Sequence, residues 1–309
     1  MNLQTLNLQA FAHGDAASRQ SFVSSLGQAF ESIGFAAIEG HGFTNAERDA
    51  LQSVIQDFFH QSTEDKLRSH NPAAKGQRGY TPFGIEHAKG ESRPDLKEFF
   101  QWGPMNASER GLAPNILVPH IDNLDATVKS AYEKLESVGQ NLMRAIALHL
   151  NLPESFFDAY LDQGHSIFRA IHYPGQKTPM VEGIRAAAHE DINLITLLMG
   201  ASAEGLELLN KEGQWVPIHV TSEVLVINVG DMLQRLTNNL LRSTTHRVVN
   251  PPAEKCHLPR FSMPFFVHPA EEMPLNCLDF CVTAENPKAF DDITAGAYLH
   301  ERLVEIGLA

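Results

Sequence analysis

Apolar residues recur at helical spacing near the start of the chain. Residues 16–33 carry an apolar stripe that stops at Gly34, which predicts an amphipathic helix followed by a short strand over residues 35–38. Thr44, with Glu47 three positions later, has the form of a capping box and predicts the start of a second helix. The aromatic residues of both helices are interpreted as core, because their spacing already explains them as a buried stripe.

The pattern changes twice further along the chain. Residues 71–122 contain many Gly and Pro turn signals around one predicted strand, Leu96–Trp102, and residues 124–150 predict a long amphipathic helix. From about residue 165, short β-like runs alternate with Gly, Pro, Asn and Asp. The predicted strands are Ile167–Tyr173, Leu194–Met199, Leu206–Leu209, Val224–Val229, His246–Val249 and Phe261–Val267. Residues 296–308 predict a closing helix.

These elements define the predicted fold class. It is mixed α+β, with a double-stranded β-helix (jelly roll) core, flanking helices and an amino-terminal α/β region. With 309 residues, 43% of them hydrophobic, the chain can bury a substantial core as one large domain or as a domain with a subdomain.

Charge and cysteine usage narrow the class of function. A formal charge of -13 disfavours nucleic acid and anionic membranes as partners, because both attract clustered Lys and Arg, and it favours a small-molecule substrate. We see no membrane-span candidate and no signal sequence at the amino terminus. Three cysteines are too few for a disulfide framework and fit a reducing compartment. The expectation is a cytoplasmic protein.

Three His-x-Asp pairs occur in the sequence, and one of them stands out. His13 with Asp15 and His120 with Asp122 lie in stretches rich in Gly or Pro and are interpreted as loop residues. His189 and Asp191 instead precede an apolar β-rich run. At a strand end, side chains at i and i+2 point to the same side, so both could bind one metal ion.

Further along the chain, His246 offers a third ligand and Arg260 a cationic fork. Two imidazoles and one carboxylate on one face of a metal leave the opposite face open, as in non-haem Fe(II) oxygenases. The guanidinium of Arg260 suits bidentate binding of a carboxylate, and Ser262, on the same side of an extended strand, can donate one more hydrogen bond. Glu190 points away from the metal in this arrangement, and it is the alternative carboxylate ligand if Asp191 does not bind the metal.

These residues resemble a known enzyme family. The segments that carry the resemblance are His189 to Leu198, Gly230 to Leu233 with Thr237 to Asn239, Ser243 to Val248, and Arg260 to Ser262. They resemble the isopenicillin N synthase-like branch of the 2-oxoglutarate/Fe(II) dioxygenases. Residues 1–115 also resemble that family's amino-terminal region, in Gly34-Phe35, Gly40 to Phe43 and Arg78 to Tyr80. The implied division is an amino-terminal region, 1–115, and a jelly-roll oxygenase core, 116–309.

The resemblance implies a reaction and a cosubstrate site. Fe(II), 2-oxoglutarate and O2 would be the cofactors, and oxidative decarboxylation of 2-oxoglutarate would be coupled to oxidation, usually hydroxylation, of a small organic substrate. Arg260, Ser262 and Tyr173 would hold 2-oxoglutarate. Ile171 departs from the plant-type pattern, which often has an asparagine at that position. No catalytic residue is predicted beyond the metal centre. By analogy with the family, the expected substrate-pocket residues are Arg78, Tyr80, Phe83, Phe100 and Phe265.

Three other functions remain compatible with the same residues. An oxidase like isopenicillin N synthase would use the metal triad without 2-oxoglutarate and hold a substrate carboxylate with the Arg-x-Ser pair. A non-catalytic jelly roll could bind metal or a small acid for sensing or storage. A zinc hydrolase would need a general base, for which Glu190 is the obvious candidate.

Overall fold

The computed structural model describes residues 3–74, 76–86, 94–176, 184–199, 205–219, 221 and 223–305. Within these ranges, no helix is both long enough and apolar enough to cross a membrane. The part of the predicted closing helix beyond residue 305 lies outside the described residues.

The four predicted helices are present close to their predicted positions, as α2, α3, α5 and α8, and the short helices α1, α4, α6 and α7 were not predicted. Their bounds are α1 Leu8–Ala12, α2 Ala16–Ser32, α3 Asn45–Phe59, α4 Thr63–Leu67, α5 Leu124–His149, α6 Asp158–Asp162, α7 Asp231–Leu236 and α8 Ala295–Glu305. The capping box at the start of α3 is present in full, because Thr44 and Glu47 each bond the other's backbone N–H. Single 3-10 turns lie at Pro72–Ala74, Ala107–Arg110, Ala253–Lys255 and Asp279–Cys281.

The strands form two sheets. Their bounds are β1 Thr5–Asn7, β2 Phe35–Glu39, β3 Gly79–Thr81, β4 Glu98–Trp102, β5 Ile167–Tyr173, β6 Ala186–His189, β7 Ile195–Met199, β8 Leu206–Leu209, β9 Trp215–Pro217, β10 Leu225–Val229, β11 His246–Val248 and β12 Arg260–Val267. The eight-stranded major sheet has the order β1-β2-β10-β7-β12-β5-β4-β3, and the four-stranded minor sheet has the order β6-β11-β8-β9. All six strands predicted after residue 165 are confirmed, whereas β6 and β9 were not predicted.

The amino-terminal region is built into the same major sheet as the rest of the chain. Strands β1 and β2 extend one edge next to β10, and β3 and β4 extend the other edge next to β5. The predicted boundary near residue 115 therefore does not separate two sheets.

The long helix α5 covers the outer face of the major sheet. Strand β12 alternates between the two faces: Phe265 packs edge-on against Tyr132 of α5, while its neighbour Phe266 faces the interior cavity. Leu135, Leu142 and Ile146 of α5 are fully buried in the main hydrophobic core. The inner face of the sheet is thus free to carry polar side chains toward the minor sheet.

Candidate metal centre and cavity

His189, Asp191 and His246 converge at one end of the minor sheet. His189 is the last residue of β6 and His246 the first of β11, and antiparallel pairing places them directly opposite each other. One donor atom of each of the three residues lies within 4.8 Å of the others. The Asp191 Oδ1 atom is 3.8 Å from His189 Nε2 and 3.7 Å from His246 Nε2.

Both imidazoles are oriented by their own backbone. The Nδ1 of His189 donates to the Ala187 carbonyl at 2.7 Å, and the Nδ1 of His246 donates to the Thr244 carbonyl at 3.1 Å. Because a carbonyl only accepts, each Nδ1 carries the proton and each Nε2 presents its lone pair toward Asp191. Metal-binding histidines usually make such a second hydrogen bond.

Electrostatics hold the site in the protonation state that a metal needs. Burial, followed by the neighbouring His246, lowers the pKa of His189 to about 4, so its imidazole is neutral at neutral pH. Burial raises the pKa of Asp191, but the two imidazoles and hydrogen bonds from Thr196 (2.6 Å) and Asn228 (2.8 Å) outweigh it and lower the pKa overall. Two imidazoles and one carboxylate fit a divalent first-row ion such as Fe(II).

Glu190 does not belong to this cluster. Its side chain is exposed and accepts a hydrogen bond from Thr245 at 3.2 Å. Glu190 contributes to the exposed part of the cavity lining but is not one of the three converging ligands.

Arg260, Tyr173 and Ser262 lie together on the inner face of the major sheet. Arg260 pairs with Tyr173 across β12 and β5, and its guanidinium carbon lies 5.0 Å from the centre of the Tyr173 ring. Burial lowers the pKa of Arg260, with Tyr173 opposing the shift, but an arginine keeps its charge in a protein. Ser262 pairs with Ile171 in the next row of the sheet. A buried cation beside a serine can bind a carboxylate.

One cavity joins the metal ligands to the arginine. It has a volume of about 670 Å³, and its lining includes His189, Asp191, His246, Arg260 and Tyr173. Cavities of this size accommodate small-molecule ligands.

The five residues expected to bind substrate lie elsewhere. Among the described residues that line the cavity, none of Arg78, Tyr80, Phe83, Phe100 and Phe265 is present. Arg78 donates to the backbone carbonyls of Gln77 and Ala113, and Phe83 is 43% exposed. Strand alternation explains the others: Tyr80 and Phe100 pack around Phe58, and Phe265 packs on Tyr132, all behind the sheet. None of the five therefore lines the described cavity, and their role in binding substrate stays a prediction.

Sequence reasoning missed a different set of cavity residues. Glu86, Asp95, Lys97, Gln101 and Arg169 line the cavity beside the metal ligands. The sequence signal for them is alternation. Gln101 of β4 and Lys97, which directly precedes β4, are four positions apart and therefore point to the same side, and Arg169 shares a face of β5 with Tyr173.

The opposite wall of the cavity comes from α7 and α8. Asp231, interpreted from sequence as a turn residue, begins α7 and accepts a hydrogen bond from the Tyr298 hydroxyl of α8 at 2.9 Å. Burial raises the pKa of Asp231 to about 7. The ion-paired residues Arg302 and Glu305 of α8 line the same wall.

Comparison with known proteins covers nearly the whole chain. Residues 3–120 match the family described as non-haem dioxygenase in morphine synthesis N-terminal, and residues 164–269 match the 2OG-Fe(II) oxygenase superfamily. The chain is 30% identical to the proline hydroxylase buaE of Petromyces alliaceus over 99% of each protein.

Two solved structures are similar over their full length. The crystal structure of a 2OG-Fe(II) oxygenase family protein from Caulobacter crescentus has 40% identity and a TM-score of 0.87, covering 98% of this chain and 99% of that one. The crystal structure of a Neurospora crassa protein in complex with alpha-KG and thymine has 26% identity and a TM-score of 0.87, covering 98% and 96%. These similarities confirm the predicted fold class.

Proposed function

Because the chain belongs to the 2OG-Fe(II) oxygenase superfamily, we propose the following roles for its residues and the following class of substrate. The protein is an oxidoreductase, a dioxygenase that uses Fe(II) and 2-oxoglutarate. We further propose that it falls in the isopenicillin N synthase-like branch, which is supported by its match to the N-terminal dioxygenase family over residues 3–120.

His189, Asp191 and His246 hold the iron in this proposal. The observation that carries it is the convergence of two imidazoles and one ionised carboxylate within 4.8 Å. When bound there, Fe(II) with O2 and 2-oxoglutarate supplies the oxidising power, and decarboxylation of 2-oxoglutarate drives oxidation of the substrate. The carbonyls of Ala187 and Thr244 hold the proton of each ring on Nδ1 and leave each Nε2 aimed at the metal position.

Arg260, Ser262 and Tyr173 position 2-oxoglutarate. A guanidinium that is only 1% exposed gives a carboxylate charge-assisted hydrogen bonds in a site from which water is largely excluded. Tyr173 packs beside Arg260 and limits the directions in which the guanidinium can turn. The 2-oxo acid is thereby fixed with one end at Arg260 and the other toward the metal ligands.

The substrate in this proposal is a small organic molecule, and hydroxylation is the expected outcome. One relative is named a proline hydroxylase, and one structural neighbour was crystallised with thymine. The cavity has room for such a molecule beside the metal ligands. We place the protein in a reducing compartment such as the cytoplasm, because Cys256, Cys277 and Cys281 are free thiols.

An anaerobic titration of the Fe(II)-loaded protein with 2-oxoglutarate tests the assignment. A visible metal-to-ligand charge-transfer band is expected in the wild type. It should vanish in His246→Ala and weaken in Arg260→Ala. His149→Ala and Arg144→Ala are the matched controls, because His149 pairs with Glu31 and Arg144 with Asp158 away from the cavity. Stoichiometric iron binding without any band would contradict the cosubstrate assignment.

A further inference from the structure

The cavity wall next to the metal ligands carries four charged side chains that neutralise one another. We call Glu86, Asp95, Lys97 and Arg169 the charge-balanced wall. All four line the cavity that contains His189, and all four are largely buried. Two are carboxylates and two are cations, so the formal charge of the wall is zero.

Lys97 lies between the two carboxylates. Its Nζ is 2.7 Å from Asp95 Oδ2 and 3.0 Å from Glu86 Oε1. Burial lowers the pKa of Lys97, but Glu86 and Asp95 outweigh it and raise the pKa overall. An ammonium has three N–H groups, and these contacts occupy two of them, which leaves one N–H as counted over the described part of the chain.

Glu86 neutralises Arg169 as well. The Nη1 of Arg169 donates to both Glu86 oxygens at 3.2 Å, and its Nε donates to Gln101 at 2.8 Å. The guanidinium carbon lies 4.2 Å from the centre of the Phe99 ring, which supports one face of the arginine. Burial raises the pKa of Glu86, but Arg169 and Lys97 outweigh it and hold the pKa at about 2. Glu86 and Lys97 are therefore both charged at neutral pH.

The charge-balanced wall is hydrogen-bonded to β6, the strand that ends at His189. Asp95 Oδ1 accepts a hydrogen bond at 3.0 Å from the backbone N–H of Ala187, two residues before His189. Since its other oxygen binds Lys97, Asp95 fixes the position of the wall relative to the metal ligand. A substrate held against the wall is held beside the metal.

The wall offers hydrogen bonds but no uncompensated charge. A charged ligand loses hydration when it enters a buried site and recovers that free energy only from an opposite charge. A neutral ligand with carbonyl and N–H groups loses much less and can bond the remaining donors of Lys97 and Arg169. We propose that the substrate is an uncharged small molecule with carbonyl and N–H groups, and that Glu86 sets this preference by neutralising both cations. Thymine, with which one structural neighbour was crystallised, makes cyclic amides the class to test. This inference rests on the proposed function, because it takes the cavity as the substrate site.

The competing case is a zwitterionic or cationic substrate. Asp231 also lines the cavity and accepts a hydrogen bond from the Tyr298 hydroxyl, and it has no ion pair among the described residues. It could accept an ammonium group. The test therefore uses pairs of ligands that share a ring and differ in charge.

The first pair is thymine and 5-carboxyuracil, and the second is 2-pyrrolidinone and proline. Each ligand is titrated anaerobically into protein loaded with Fe(II) and 2-oxoglutarate, and binding is measured from the change in the charge-transfer band. Wild type should bind the neutral member of each pair at least about tenfold more tightly, since a charge without a partner in the site costs affinity. Release of succinate in air then checks turnover.

Two variants shift the charge of the wall in opposite directions. Glu86→Gln leaves the wall with a net positive charge and should move the preference about tenfold toward 5-carboxyuracil. Arg169→Gln leaves the wall with a net negative charge and should move the preference further toward thymine. Glu207→Gln is the matched control, because Glu207 pairs with Arg247 on the minor sheet and does not line the cavity as described.

The outcomes separate the two proposals. Failure of 2-oxoglutarate to produce a band in wild type would count against the proposed function, whatever the substrate. A normal band with tighter binding of the charged ligands, or with no binding of any neutral ring compound, would overturn the inference. The inference would also be overturned if both variants shifted the preference between charged and neutral ligands in the same direction. The two substitutions change the charge of the wall in opposite directions, so a common shift would not come from that charge.

Discussion

Lys97 and Glu98 are neighbours in sequence but belong to two different buried charge clusters on opposite faces of the major sheet. Lys97 is part of the charge-balanced wall and faces the cavity. Glu98 faces backward and accepts from Lys66 at 2.7 Å, Tyr80 at 2.5 Å and His172 at 2.7 Å, a group that we call the back cluster. Strand alternation alone assigns one residue to each cluster.

The two clusters use similar groups for different purposes. In the back cluster, Lys66 of α4 reaches over the sheet, and the His172 ring stacks on Phe261 at 4.7 Å, so the carboxylate is enclosed by protein. Its contribution is to hold α4 against β4 and β5. The wall has protein on one side and a cavity on the other, so changes there should alter ligand binding more than folding. We therefore expect substitutions in the back cluster to lower stability and substitutions in the charge-balanced wall to change which ligands bind.

The largest expected effect is on stability, in the back cluster. Glu98→Gln leaves the buried Lys66 ammonium without its counter-charge, which should reduce the free energy of unfolding by about 3–5 kcal/mol. Urea denaturation followed by circular dichroism measures it. The affinity for 2-oxoglutarate of the protein that remains folded should be unchanged. A large loss of that affinity would mean that the two faces are not independent.

Two adjacent residues of β12 test the same division. Arg260→Met should weaken binding of 2-oxoglutarate about 10- to 150-fold, because a hydrogen bond to a charged group contributes about 1.5–3 kcal/mol. Phe261→Leu, on the opposite face, should leave that affinity unchanged and reduce stability by about 1 kcal/mol. Isothermal titration with the Mn(II)-loaded proteins measures the affinities. Equal losses of affinity for 2-oxoglutarate in both variants would show that the two faces of the sheet do not have separate roles.

Acid sensitivity provides a smaller effect. The pKa of Glu86 is about 2 in the folded protein and has an ordinary value of 4.5, so the stability that it contributes is present above pH 4.5 and is lost as the pH falls toward 2. Between about pH 6 and about pH 3, Glu86→Gln should therefore lose less unfolding free energy than wild type. Urea midpoints measured across this range test it. Parallel curves for the two proteins would show that Glu86 is not held ionised in the fold.

The smallest effect is expected for a partly exposed ion pair outside both clusters. Glu207→Gln removes the partner of Arg247, 2.7 Å away, and should change stability by about 0–1 kcal/mol. Binding of 2-oxoglutarate and of the neutral ring ligands should not change. Thermal melts without ligand, with 2-oxoglutarate and with thymine check the stability and both kinds of binding. They also show how much stability is lost when a carboxylate outside the two clusters is removed.

The sequence predicted the metal centre better than it predicted the substrate pocket. His189 and Asp191 are two positions apart at a strand end, and a spacing of that kind determines which side chains share a face. Arg260 and Ser262 follow the same rule. Glu86, Asp95, Lys97 and Arg169 are spread over the chain and match no motif, and Glu86 lies outside any strand. Family analogy instead selected Phe100 and Phe265, which lie on the back of the sheet.

The sequence by itself determined the four longest helices, most of the strands and the residue types of the metal site, because these depend on the spacing of residues close together in the chain. Only the tertiary structure decided that His246 stands opposite His189, since that contact is made by antiparallel pairing of β11 with β6. It also decided that Glu86 neutralises Lys97 and Arg169 together. Contacts between distant segments depend on how strands pair and which face each presents, and local spacing does not encode those choices.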